Sequence, residues 1–330
     1  MNAIPRPRVS ALAPHLEAYF AHRSALGKKS RPARYTLKLL EQHLAANRIV
    51  RIDQITPAII DGFLASRPRN TASSFNGMLS NVTCFFRWLV VHGVLTQSPV
   101  IAQRRRVVIQ RPFLFDRADA ARLLAAAGNL QDAGGHHGLA MIHRTALILL
   151  YGLGLRAGEV SRLRLRDVDW DRQLLEIHNS KFGKDRLIPF GPKLSAALRT
   201  YIQWRTIRWP DSPPDAPLLT LDRAGRRPVY PTTFTRMFKT LVRQLNLRVP
   251  SGTRPPHLHC LRHSFAVATL VRWYKGGIDP NAALLRLSTF LGHVDPSSTA
   301  VYLTITDELL EEANRRFSRY VAPMLKELQP

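Results

Sequence analysis

The chain has 330 residues, 45% of them hydrophobic, enough for two ordinary domains with sizeable cores. Its formal net charge is +25, and both parts share it: residues 1–110 hold 16 Lys/Arg against 4 Asp/Glu, and residues 111–330 hold 32 against 19. No run of 18 or more apolar residues predicts a membrane span, the Pro- and Arg-rich residues 1–9 do not read as a secretory signal, and two cysteines, Cys84 and Cys260, predict neither a disulfide framework nor a thiolate zinc site.

Basic groups distributed this way suit a polyanion gripped by both parts, because they release counterions from a phosphate backbone. A basic surface without a partner is the competing reading, and charge alone does not separate DNA from RNA. The cysteine usage predicts a reducing, cytoplasmic setting.

Residues 11–95 read as helical throughout. The first helix, 11–26, places Leu12, Leu16, Tyr19 and Phe20 at helical spacing, and Gly27 stops it. The second, 32–47, is expected to present Tyr35, Leu39, Leu40 and Leu44 on one face. Thr56-Pro57 reads as an N-cap followed by proline at the first helical position, opening a helix to Ser66. A fourth helix, 71–92, carries Phe75, Leu79, Val82, Phe85, Phe86 and Leu89 before Gly93. Residues 97–112 contain Arg104, Arg105, Arg106, Arg111 and Pro112, and read as a basic interdomain linker. It lies along a phosphate backbone or is merely solvated; both readings stay open.

From Phe113 the pattern is mixed. Asp116 or Asp119 caps a helix to Ala127, and an apolar helix spans 141–151. Residues 174–178 and 186–190 alternate as paired strands around a polar turn containing Gly183. Helices are expected over 194–209, 232–245, 259–274 and 282–291, with a Pro-rich loop at 210–217. A last helix begins near Asp307 with Leu309, Leu310, Phe317, Tyr320 and Val321 apolar. The expected fold class is mainly α with a small β-sheet, α+β.

Carboxylates are too scattered to form a paired acid/base site. His259 and His263 are four apart, which suits a metal, but the intervening residues are Cys260, Leu261 and Arg262 and offer no glutamate. A different set is more coherent. Arg156 stands in a turn between two helices, and His259 and Arg262 share a helix face about a hundred residues later. A helix then ends at Leu291-Gly292-His293, and Tyr302 follows nine residues on. Arginine forks match phosphate oxygens, and a tyrosine can form a covalent ester. The chain has 39 Arg against 9 Lys, and no lysine between Leu39 and Ser180, so Lys181 stands out as a proton donor that arginine cannot replace.

These stretches resemble the tyrosine recombinase, or phage integrase, family: GLRAGEVSRLRLRD (154–167), SKFGKDRLIP (180–189), HCLRHSF (259–265) and LGHVDPSSTAVY (291–302), in the family's order and spacing. The LLEEANRRF stretch after Tyr302 is similar to transposon-borne members. The resemblance implies a four-helix SAM-like core-binding domain at 1–96, the linker at 97–112 and an integrase-type catalytic domain at 113–330. It implies Tyr302 as nucleophile, Arg156 and Arg262 as phosphate clamps, Lys181 as general acid, His259 as an acid/base and phosphate-binding group and His293 as a hydrogen-bond donor to the phosphate. Ser180 and Phe182 depart from the family's glycines around the lysine, and Lys184 and His257 are register competitors for Lys181 and His259. Glu159 is expected to order the arginine turn, His263 to pack against the fold, and Cys260 to be a small buried residue.

What the resemblance implies is site-specific recombination through a covalent 3′-phosphotyrosine, without metal, nucleotide or other cofactor, serving integration or excision of a mobile element. The partners implied are double-stranded DNA, further copies in a tetramer on paired sites with the C-terminal helix exchanged between subunits, and related recombinases or accessory proteins. The setting is cytoplasmic and nucleoid-associated, with no membrane partner and no arm-type DNA-binding domain ahead of Ala11. Two other readings stay open: a non-catalytic DNA-binding regulator on the same fold, and a type IB topoisomerase-like enzyme.

Overall fold

The computed structural model describes residues 11–28, 30–108, 110–135, 137–178 and 185–292, together with positions 311, 314 and 315. The chain divides into two compact units, Met1–Ile109 and Gln110–Pro330. The helix expected from Asp307 lies outside the described residues, apart from those three positions.

The first unit is built on α1 (Ala13–Ala25), α2 (Arg31–Ala46), α3 (Pro57–Ala65) and α4 (Ala72–Val91). Proline opens α3 at a position whose N–H would lack a helical partner anyway. Thr56 stands at the N-cap in extended backbone, but its side chain accepts no capping bond, so proline carries the start of that helix alone. Thr71 does cap α4, accepting the Ser74 N–H at 3.1 Å. In α2 the buried stripe is Ala33, Thr36, Leu37, Leu40 and Leu44, whereas Tyr35 is 62% exposed. The stripe is rotated from the expected one, with Leu37 fully buried in the core that α2 shares with α3 and α4. Phe63, Phe85, Phe86 and Leu89 close the core, with Phe85 and Phe86 edge to face at 5.5 Å.

The second unit begins with α5 (Arg117–Gly128), where Asp116, not Asp119, is the cap, accepting the Asp119 N–H at 2.7 Å. Then come α6 (Leu139–Gly152), α7 (Ala157–Arg162), the strands β1 (Val168–Asp169), β2 (Leu174–Ile177) and β3 (Arg186–Pro189), and α8 (Pro192–Arg208). The strands pair antiparallel in the order β1-β2-β3, with Leu175 opposite Ile188 and Ile177 opposite Arg186. The two-residue β1 has too little alternation to be legible in sequence. Helices α9 (Pro231–Leu245), α10 (Cys260–Lys275) and α11 (Pro280–Leu291) follow.

The Pro-rich loop is pinned from α8. Arg205, 1% exposed, donates to the Leu218 and Pro217 carbonyls and to Ser212, and Tyr201 Oη–H donates to the Leu218 carbonyl at 2.8 Å. The main core gathers α5, α6, α8, α9 and the sheet. A satellite cluster, including Val267, Leu270, Leu287 and Leu291, fastens α11 to α10. Among the described residues no helix is long and apolar enough to cross a membrane.

Phe86 is fully buried. Phe86→Ala should cost about 3–5 kcal/mol in the first unit, read as a lowered denaturation midpoint in urea with an unchanged slope.

Candidate active site

Arg156 occupies the N-cap position of α7 with extended backbone, φ −79° and ψ 147°. Glu159 turns back on it: Oε2 accepts the Arg156 backbone N–H at 2.9 Å and Oε1 accepts Nη1–H at 2.8 Å. The turn depends on Gly154, whose φ is +61°; a Cβ there would stand 2.5 Å from Phe265 Cδ1.

Arg262 lies in the first turn of α10 and is 1% exposed. Its Nη1 donates to the Gly154 carbonyl and its Nη2 to the Leu291 carbonyl, both at 2.7 Å. Arg156 reaches the same helix end, with Nη1 at 3.5 Å from the Leu291 carbonyl and Nη2 at 3.2 Å from that of Gly292. The last carbonyls of a helix lack intrahelical donors and carry its negative end, so two guanidiniums are favourable partners there. Two arginines 106 positions apart are thereby brought onto one carbonyl, that of Leu291, at the end of α11.

His259 is exposed at the N-terminus of α10. Its imidazole is held below the ordinary histidine range, first by desolvation, then by electrostatic interaction with His263, Arg262, His257 and Arg156. Its remaining access to water screens those charges. The His263 ring stands edge to face against it at 4.7 Å. Cys260 is buried; its Sγ lies 3.0 Å from His257 Nδ1, and burial pushes the thiol up.

Lys181, His293 and Tyr302 lie outside the described residues, as do Ser180, Phe182 and Lys184. The described residues on either side of the lysine turn are His178 and Asp185, joined from Nδ1 to Oδ2 at 3.0 Å. That bond, opposed by some desolvation and aided by Asp167 and Glu176, raises the His178 imidazole.

In the sequence Arg186 stands only as the start of a strand. Its side chain is 10% exposed, that of Glu159 2%, and the two are joined by paired bonds, Nη1 to Oε1 and Nη2 to Oε2, each 3.0 Å. Arg186 Nε also donates to the Phe290 carbonyl at 3.0 Å. A signal was available. Arg186 and buried Ile188 are two apart in β3 and so share a face, while Leu187 between them is 52% exposed. An arginine on the inward face of a strand calls for a carboxylate.

Desolvation alone would raise the Glu159 carboxyl, but the bonds and charge of Arg186, and then those of Arg156, outweigh it and hold the group at about 2.

Residues 115–308 match the phage integrase family and residues 18–93 the N-terminal SAM-like domain of phage integrases. The protein y4rB of Sinorhizobium fredii (strain NBRC 101917 / NGR234), of the integrase/recombinase type by name, is 34% identical over 309 residues, 92% of this chain and 96% of that one. Tyrosine recombinase XerC of Lacticaseibacillus casei (strain BL23) is 30% identical over 69% of this chain and 70% of its own. In fold, the chain is similar to the Tn1549 transposon integrase (TM-score 0.65, 17% identity, 92% of this chain and 98% of that one). It is also similar to lambda integrase (TM-score 0.62, 18% identity, 87% and 96%).

The Glu159 carboxyl is depressed in the folded chain, so its stabilisation is complete above the unfolded value of 4.5 and is lost as pH falls toward 2. That fall is worth on the order of 3 kcal/mol. The stability gap between the wild-type chain and Glu159→Gln should therefore shrink by that amount between pH 5 and pH 2, measured by urea denaturation across the range. Gly292 has φ +68°, and a Cβ there would meet Arg186 Nη1 at 2.9 Å. Gly292→Ala should cost roughly 1–2 kcal/mol from the backbone alone, with a matching drop in melting temperature.

With the family match spanning residues 115–308 and a relative 34% identical over 92% of this chain, the chain belongs to the phage integrase family of tyrosine recombinases.

Proposed function

We propose that the chain cleaves and rejoins duplex DNA at a defined site, with Tyr302 as nucleophile, in the service of moving a DNA element. The observation that carries this reading is the meeting of Arg156 and Arg262 at the Leu291 carbonyl, two residues before His293. Tyr302 gives its hydroxyl proton to His259 and its oxygen attacks a backbone phosphorus, the bond to the 5′ oxygen breaks, and Lys181 supplies the proton that the departing oxygen takes up. The 3′ phosphate is left as a tyrosine ester, which keeps the bond energy, so a 5′ hydroxyl can reverse the step without ATP. Arg156, Arg262, His259 and His293 face the negative charge that builds on the phosphate oxygens. In this reading residues 1–96 form the core-binding domain, 97–112 the linker and 113–330 the catalytic domain. Copies act as a tetramer on paired sites, exchanging C-terminal helices, in a cytoplasmic, nucleoid-associated setting.

The exposed side of α9 supports a DNA partner. Phe234, Phe238 and Leu241 face the core, and Thr232, Arg236, Lys239, Thr240 and Arg243 face solvent. A basic, hydroxyl-bearing helix face suits a phosphate backbone.

The test uses nicked duplexes tiling the DNA on either side of the gene, incubated with the chain in EDTA. Wild type should accumulate a protein–DNA adduct stable to denaturant, and Tyr302→Phe should accumulate none. Adduct from Tyr302→Phe would rule out this nucleophile, and absence of adduct from wild type would favour a non-catalytic DNA-binding regulator. Relaxation of supercoiled plasmid without a preferred site would favour a topoisomerase-like enzyme. Separately, Arg236→Ala and Lys239→Ala should each flatten the log Kd against log salt slope by about 0.9, read by fluorescence anisotropy on duplex DNA. An unchanged slope would remove α9 from the interface.

A further inference from the structure

Glu159 presents a difficulty for a phosphate site. A buried carboxylate bonded to Arg156 offsets the positive charge that an incoming phosphate would meet. A single Arg–Glu pair is neutral overall, and its field falls away quickly outside it. The structure resolves the difficulty with Arg186, whose guanidinium takes both oxygens of the same carboxylate while that of Arg156 takes one. Two guanidiniums against one carboxylate leave a net positive charge. Arg156, 25% exposed, is the member open to an incoming group, whereas Arg186 is 10% exposed.

We infer that Arg186 is a positioning residue for strand cleavage: by neutralising Glu159 and fastening it to the end of α11, it leaves the charge of Arg156 available to the scissile phosphate. The inference rests on the reading of Arg156 as a phosphate clamp. Two further contacts tie Arg186 to the site. Its Nε donates to the Phe290 carbonyl, one residue before the Leu291 carbonyl that Arg156 and Arg262 share. Its guanidinium also lies against the Cα of Gly292, where only a glycine leaves room. Arg186 thus joins β3, the arginine turn and the end of α11 through one side chain. Lysine could supply the charge but could not hold both carboxylate oxygens and the Phe290 carbonyl in one plane.

The experiment measures single-turnover adduct formation on the nicked duplex that serves wild type best, once with a phosphodiester at the cut position and once with a methylphosphonate, which lacks the negative charge. Arg186→Leu should slow cleavage of the phosphodiester by roughly 100-fold, and the deficit should shrink at least tenfold on the methylphosphonate, as it should for Arg156→Ala. Arg186→Lys, which keeps the charge, should fall between wild type and Arg186→Leu. The double variant Arg186→Leu/Glu159→Gln removes both charges, leaves no uncompensated buried ion, and should recover at least tenfold over Arg186→Leu alone.

Melting temperatures identify variants that are folded; if Arg186→Leu does not fold, the double variant is compared with wild type and should cleave within about tenfold of it, a larger deficit overturning the inference. A merely structural role predicts equal deficits on both substrates and a double variant no faster than the single one; either result overturns the inference. Wild-type cleavage with undiminished Arg186→Leu cleavage overturns it while leaving the function standing. Absence of adduct from wild type overturns both.

Discussion

The second unit depends on a concentration of positive charge that its own backbone must hold in place. Arg156, Arg186 and Arg262 come from α7, β3 and α10, and all donate to the last carbonyls of α11, at Phe290, Leu291 and Gly292. Like charges this close would separate in water. They stay because a helix C-terminus offers unpaired carbonyls with a net negative field, and because Glu159 places a full negative charge between two of them. Burying such a network is costly, and an apolar cluster of the same volume would serve stability as well or better. What the network supplies is a fixed position for each guanidinium.

The apolar packing around the network serves the same end. Helix α10 meets the arginine turn twice through residues three apart: Arg262 bonds the Gly154 carbonyl, and Phe265 fills the space that a side chain at 154 would need. Phe265 in turn stacks on Phe290 of α11 at 5.4 Å. The satellite cluster of Val267, Leu270, Leu287 and Leu291 then sets the distance between α10 and α11. The carbonyl of Leu291 is placed by the burial of its own side chain. A cavity in that cluster would therefore reach the arginines without touching them.

Much of this was legible in the sequence, and the remainder was hidden for identifiable reasons. Helices announced themselves where local chemistry sufficed, as with Asp116, one of two expected caps of α5, and the proline opening α3. Arg156, His259 and Arg262 were found from spacing and family likeness, and the structure places all three around the N-terminus of α10 and the end of α11. Arg186 was overlooked because its meaning is a contact with a residue 27 positions away, and no local pattern encodes that. The rotation of the α2 stripe has the same origin. Several faces of a short helix can be read as apolar, and packing against α3 and α4 selects one.

A site that must receive a phosphate with no delay for rearrangement needs its cations aligned beforehand. In an open cleft, free arginine side chains would be spread over many rotamers, and ordering each would cost part of the binding energy. Here Arg262 is buried and held by two carbonyls, and Arg156 is held by Glu159 and the end of α11, so the ordering is accomplished during folding. On the proposed reading a phosphodiester meets the 25%-exposed fork of Arg156, already set in place, while buried Arg262 holds the carbonyls behind it. Preference for arginine over lysine follows at these positions, since five donors on one rigid plane can serve the backbone and a substrate together.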